Sequence, residues 1–251
     1  MPTVREIYEY INSFAPFSSQ ESWDNSGLLL GDPDRQVKTA AVVLDATKKT
    51  VEAAKKAQAD MIVTHHPVIF SALKKITAGS VVYDLLTSGI SVVSAHTCWD
   101  SAVGGVNDTL AALLGFENVQ PLELEETATP MARIAEVEPM TGEELALLVK
   151  EKLGCHLRLA DSGKKITRVA LCGGSASSLV YEAIGKADAF ITGDLSHHVF
   201  LDAADSGMTV VAAGHFETEN PSMKPLTEKL KEKFEDIDFV LIEQENPVKY
   251  Y

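Results

Sequence analysis

The chain has 251 residues, 45% hydrophobic and 23% charged, with 16 glycines and 10 prolines. That suits one large or two modest α/β domains with real cores and excludes a disordered or fibrous chain. Twenty-two Lys and Arg against 36 Asp and Glu leave a formal charge of −14, which repels a phosphate backbone and argues against nucleic acid as a partner.

The start, "MPTVREIYEYINSF", lacks a basic segment followed by an apolar one, and no later run approaches the roughly 20 residues needed to cross a bilayer. A cytoplasmic location without membrane contact is therefore expected. Cys98, Cys155 and Cys172 are odd in number and widely spaced, which suggests neither a disulfide framework nor a thiolate zinc site.

Thr3 and Glu6 form a capping box before Val4, Ile7, Tyr8, Ile11 and Phe14 at helical spacing, so an amphipathic helix opens the chain. After a loop containing "WDNSGLLLGDPD", the pattern predicts strand 39–45, helix 48–58, strand 61–64, helix 80–88, strand 91–95 and helix 105–114. This alternation indicates βαβ units and a mainly parallel sheet. The acidic stretch "ENVQPLELEETATPM" (117–131), broken by two prolines, reads as a lobe boundary. Residues 1–127 are expected to form a first α/β lobe, joined or not by the C-terminal segment, and residues 128–251 a second. The second series comprises strand 132–137, a helix from Thr141 to Leu153 with its own capping box and Gly154 as stop, and strand 166–171. Helix 176–186, strand 189–192, helix 197–205, strand 208–213, helix 222–235 and strand 238–243 complete it.

Four apolar strands end in residues of metal-ligand type: "MIVTHHP", "SVVSAHTCWD", "AFITGDLSHH" and "TVVAAGHFETE". Six of the seven histidines lie there, beyond the carboxyl ends of strands, where open α/β sheets bind ligands. On an extended backbone His65 and His66 point to opposite faces, so they serve two ions, or one of them supports the other. His96 with Asp100 and His215 with Glu219 are four apart, which brings each pair to one side of a helical turn if the loop curls. His65, His66, Asp100, His215 and Glu219 make a mixed nitrogen and oxygen set suited to Zn, Mn, Fe, Co or Ni.

The blocks "WDNSGLLLG", "THHPVIF", "SAHTCWD", "GGVNDTLAALLG", "TGDLSHH" and "GHFETE" resemble the NIF-three-like dinuclear-metal-centre family, whose members are often named GTP cyclohydrolase I type 2 homologues. The resemblance implies two divalent ions per subunit, with His65 and Asp100 on one, His66 and His215 on the other, and Glu219 bridging. It also implies two α/β lobes with mainly parallel or mixed sheets, the metal site between them, and a ring-shaped homohexamer. This is the short form, since Leu114 to Arg133 leaves no room for an inserted domain. The family name suggests a metal-dependent hydrolase acting on a nucleotide; the competing reading is a non-catalytic ring that handles metal or scaffolds partners.

Other residues carry paired readings. His96 is either a supporting partner or proton shuttle, or a structural hydrogen bonder to a loop carbonyl. Asp194 either orients His197 for acid or base work or, with Ser196, caps the helix that His197 and His198 begin. Asp24 and Asn25 read as a turn, with only the family match making Asp24 a pocket wall. "LCGGSASS" reads as a tight turn before an anion site, because it lacks both the Walker lysine and G-x-G-x-x-G.

Overall fold

A computed structural model describes residues 1–123 and 129–250. The first half of the chain runs α1 (Val4–Phe14), β1 (Gly27–Leu30), β2 (Thr39–Val43), α2 (Lys48–Lys56), β3 (Met61–Thr64), α3 (Val81–Thr87), β4 (Ser91–Ser94), α4 (Thr97–Ser101) and α5 (Val106–Leu114). It continues with β5 (Gln120–Pro121), β6 (Arg133–Met140), α6 (Gly142–Leu153), β7 (Arg158–Ala160), β8 (Ile166–Leu171), α7 (Ser177–Ala183) and β9 (Ala189–Thr192). The last stretch is α8 (His197–Ser206), β10 (Thr209–Ala212), α9 (His215–Glu219), α10 (Met223–Lys233) and β11 (Asp238–Leu241).

The chain divides into two compact units, Met1–Trp99 with Met223–Pro247 and Asp100–Ser222 with Val248–Tyr251. The lobe boundary expected at residues 127 and 128 lies outside the described residues. Helix α5, expected before that boundary, belongs to the second unit: Leu110, Ala111 and Leu114 share a core with Leu145 and Val149 of α6.

In the first unit the strands are ordered β1-β4-β3-β2-β11. β4, β3, β2 and β11 are parallel, and β1 closes the edge antiparallel to β4. Alternation along β2 sends Ala41 and Val43 into a core with Val51 and Ala54 of α2 and Val82 and Leu85 of α3. α1 buries Val4, Ile7 and Ile11, and its Tyr10 meets Phe234 edge-on at 5.6 Å. Thr3 accepts from the Glu6 amide while the Glu6 carboxylate accepts from the Thr3 amide at 2.7 Å, the reciprocal cap expected from the sequence. Strand β1 lies in the stretch expected to be a loop, since turn residues of "WDNSG" and "GDPD" flank it, and its register with β4 slips between Leu28 and Leu30.

The second unit holds a sheet ordered β5-β6-β8-β9-β10-β7. β8, β9 and β10 are parallel, while β5, β6 and β7 are antiparallel to their neighbours. One face buries Ala170, Phe190 and Val210 against Leu179 and Val180 of α7 and Val199 and Ala203 of α8. The other buries Val169, Ile191 and Val211 against α5 and α6. Both sheets are thus mixed, and the central strands are continuous apolar runs because both faces are covered. Among the described residues no helix is long and apolar enough to cross a membrane.

Asp60 ties the starts of β2 and β3. Its carboxylate accepts from Arg35 at 2.9 Å and from the Lys38 and Thr39 amides at 2.8 and 3.2 Å. Burial raises this carboxyl, but the Lys38, Arg35 and Thr39 donors outweigh burial and hold it below its ordinary value. Asp60→Ala is expected to cost about 1–2 kcal/mol in urea unfolding. Because the folded value is depressed, that difference is complete above about pH 5 and shrinks as pH falls through the folded value. A difference that stays constant on acidification contradicts this role.

Candidate metal centre

Strands β3 and β4 are adjacent and parallel, and both release the chain at the same end of the sheet. The backbone leaves β3 at Thr64 and bends, so His65 and His66 do not point apart as on an extended strand: their ring centroids are 4.9 Å apart. His96, two residues past β4, joins them at 5.1 Å from His65 and 5.4 Å from His66. Ligand atoms of the three imidazoles lie within 4.8 Å of one another.

Each ring is held by its Nδ1. His65, fully buried, donates to the Ala95 carbonyl at 2.9 Å. His66 pairs with Asp45 at 2.7 Å and His96 with Asp24 at 2.8 Å. An oxygen acceptor at Nδ1 fixes the proton there and makes Nε2 the ligating nitrogen, which is how metal-bound histidines are usually oriented.

The orienting carboxylates are themselves anchored. Asp45 accepts from the Gln244 amide group at 2.6 Å, and Gln244 accepts from the Asp45 backbone at 3.0 Å. Strand β11 pairs with β2 in parallel and so delivers Gln244 to the carboxyl end of that strand. Asp24 takes His96 and the Asn25 amide on one oxygen and Ser26, the Thr97 amide and the Thr97 hydroxyl on the other. Burial raises the Asp24 carboxyl, yet the His96 hydrogen bond and charge, with Thr97 and Ser26, hold it well below the usual carboxylate range. The "WDNSG" turn is thus the support of His96, a role not expected of Asp24, which the family match had made only a pocket wall.

In the second unit, β9 and β10 are likewise adjacent and parallel. The loop after β10 curls into α9, bringing His215 Nε2 to 3.1 Å from the Glu219 carboxylate. Two ligands about 2.1 Å from one ion sit roughly 3 Å apart, so this pair has the spacing of neighbours on a cation. His215 Nδ1 pairs with Asp194 at 2.9 Å. Asp194 therefore orients His215 rather than His197, and Ser196, the N-cap of α8, makes no side-chain capping bond. His197 and His198 are exposed on the first turn of α8.

Glu219 is 3% exposed, and the "CGG" turn makes room for it. A Cβ on Gly174, at φ +65°, would stand 2.1 Å from Glu219 Oε1, and one on Gly193 would stand 2.6 Å from the Gly174 carbonyl oxygen. The Gly174 amide donates to Thr218 at 3.1 Å. These glycines serve close packing around a buried carboxylate. Asp100 lies in α4 and is also buried. Asn107 donates to its backbone carbonyl at 3.2 Å and accepts from the Gly173 amide at 2.7 Å. Burial, then the Asp100 carboxylate, pushes the Cys172 thiol far up, so it stays a neutral core residue.

Sequence reasoning did not single out Asp45, Gln244 or the Asp194–His215 pairing. Asp45 does follow an apolar strand, but one acid at one strand end is a weak signal.

A two-unit α/β protein carrying oriented imidazoles and buried carboxylates that could hold a metal ion is the class these features define. The chain belongs to the Duf34/NIF3 (NGG1p interacting factor 3) family, whose model matches residues 2–247. A relative from Clostridium perfringens named "GTP cyclohydrolase 1 type 2 homolog" is 33% identical over 95% of each chain. A Staphylococcus aureus hypothetical protein of known crystal structure superposes with a TM-score of 0.92 at 27% identity, covering 99% of each chain. Reduced HcgD from Methanocaldococcus jannaschii gives a TM-score of 0.83 at 29% identity, covering 96% of this chain and 97% of that one.

Two outcomes are expected. Long-range proton–nitrogen NMR of the metal-free protein should show His65 protonated at Nδ1; a proton on Nε2 contradicts the ligand orientation. Gly174→Ala should lower unfolding stability by at least about 1–2 kcal/mol through its left-handed backbone alone, measured by urea denaturation, and an unchanged midpoint contradicts the tight fit around Glu219.

Proposed function

We propose that His65, His66, Asp100, His215 and Glu219 hold two divalent ions and that the protein is a metal-dependent hydrolase of the cyclohydrolase type, acting on a nucleotide. The observation that supports this reading is the set of Nδ1 hydrogen bonds of His65, His66 and His215, the arrangement in which a histidine offers Nε2 to a metal ion. The donor set, imidazole and carboxylate without thiolate, suits Zn, Mn, Fe, Co or Ni. His65 with Asp100 and His66 with His215 are assigned to separate ions, with Glu219 shared, as the family resemblance implies.

When bound, such a pair of ions supplies Lewis-acid polarisation of a substrate oxygen and activation of a water. The side chains of this chain do the rest. Asp24 holds the His96 ring through Nδ1, and in this reading His96 holds or delivers a proton through Nε2. Asp45 and Asp194 keep the His66 and His215 rings from rotating. Asp194 is a positioning residue in this scheme, and neither it nor His197 is needed as acid or base. Two divalent ions also bring four positive charges to a chain of net charge −14, which reconciles an acidic protein with a phosphorylated substrate. The relatives' name points to purine ring opening with release of formate. A cytoplasmic homohexamer completes the reading.

Protein reconstituted without oxygen with Mn, Fe, Co, Ni or Zn should bind two ions per chain by calorimetry and release formate from GTP. Glu219→Gln should lower affinity for at least one ion by about 10–100-fold and abolish release. Tight metal binding with no release from any nucleotide contradicts the hydrolase and favours a metal-handling ring.

A further inference from the structure

Trp23 and Phe70 are 55% and 54% exposed, yet they are far from loose. Their rings lie 6.1 Å apart at 40°, and both touch His96, at 5.8 and 6.3 Å. Asn25 donates to the Ile69 carbonyl at 2.6 Å, which ties the turn that carries Trp23 to the loop that carries Phe70. Asp24, next to Trp23, is fixed by its own hydrogen bonds to Ser26, His96 and Thr97. A buried polar network thus holds two large aromatic faces in position while leaving them open to solvent, an arrangement that contributes little to a core. Four residues beyond Phe70 the same loop carries the exposed Lys74 and Lys75, a local positive pair in an acidic chain.

We propose that Trp23 and Phe70 are a stacking platform for the planar heteroaromatic ring of a nucleotide, set beside the imidazole cluster, with Lys74 and Lys75 supplying countercharge to its phosphate. Aromatic side chains bind bases through their π faces and accept any base, so they confer affinity and placement rather than choice of base. The inference deepens the nucleotide reading above and rests on it.

The protein has two tryptophans, and Trp99 is 1% exposed, so a ligand that stacks on the surface quenches Trp23 alone. The full chain, metal-free and zinc-loaded, is titrated with guanosine 5′-monophosphate and, as control, ribose 5-phosphate, following tryptophan emission. The expected result is saturable quenching by the nucleotide in both forms, none by the sugar phosphate, and none in Trp23→Phe. Phe70→Ala, which keeps the reporter, should weaken binding about tenfold. Absence of saturable quenching in both forms, or unchanged affinity in Phe70→Ala, overturns the platform. So does a Trp23 emission that follows chain concentration and ignores nucleotide, which assigns the aromatic pair to a contact with a second copy. Quenching without formate release leaves the platform standing and removes the hydrolase; formate release with unaltered KM in Phe70→Ala does the reverse.

Discussion

The constraint on which this structure turns is that a histidine can serve as a fixed ligand only when its other nitrogen is occupied. Four imidazoles in this chain, His65, His66, His96 and His215, have Nδ1 bound to an oxygen. Only one of those oxygens is a backbone carbonyl, which depends on nothing but the path of β4. The other three belong to Asp45, Asp24 and Asp194, and each must be brought in by a separate part of the chain. Much of the topology can be read as meeting that need. The parallel pairing of β11 with β2 places Gln244 on Asp45, 199 residues away in sequence, and the turn before β1 places Asp24 under His96.

Both units solve the same local problem in the same way. Adjacent parallel strands, β3 with β4 and β9 with β10, stop at one end of their sheets, and the polar residues that follow are released from pairing just where loops and helix starts leave space. Apolar runs bury the strands themselves, since helices cover both faces. Polar chemistry is thereby confined to strand ends, where its hydrogen bonds can be met without breaking a ladder. The glycines at 173, 174 and 193 are the counterpart in the second unit: side chains there would fill the space that Glu219 and the close backbone contacts occupy.

Most strands and most helices were legible because their signals are local: short apolar runs, reciprocal caps at Thr3 and Thr141, and a glycine stop at Gly154. The candidate ligands were legible for the same reason, as polar residues interrupting apolar runs at four strand ends. What escaped was whatever depends on meeting between distant segments. Asp45 and Gln244 are unremarkable singly, and Asp194 stands nearer in sequence to His197 than to the His215 it holds. The edge strands β1 and β7 escaped as well: β1 sits between the turn residues of "WDNSG" and "GDPD", and β7 has only three residues. The expectation that His65 and His66 point apart assumed an extended backbone beyond the end of β3, whereas the chain bends directly after Thr64, where the strand was expected to stop.

The most direct test of the account is anomalous diffraction from crystals of the protein grown with manganese or zinc. The account requires two peaks per chain, roughly 3.5–4 Å apart, ligated by the Nε2 atoms of His65, His66 and His215 with Glu219 touching both. A single peak, ligation through any Nδ1, or ions bound away from these residues would contradict it.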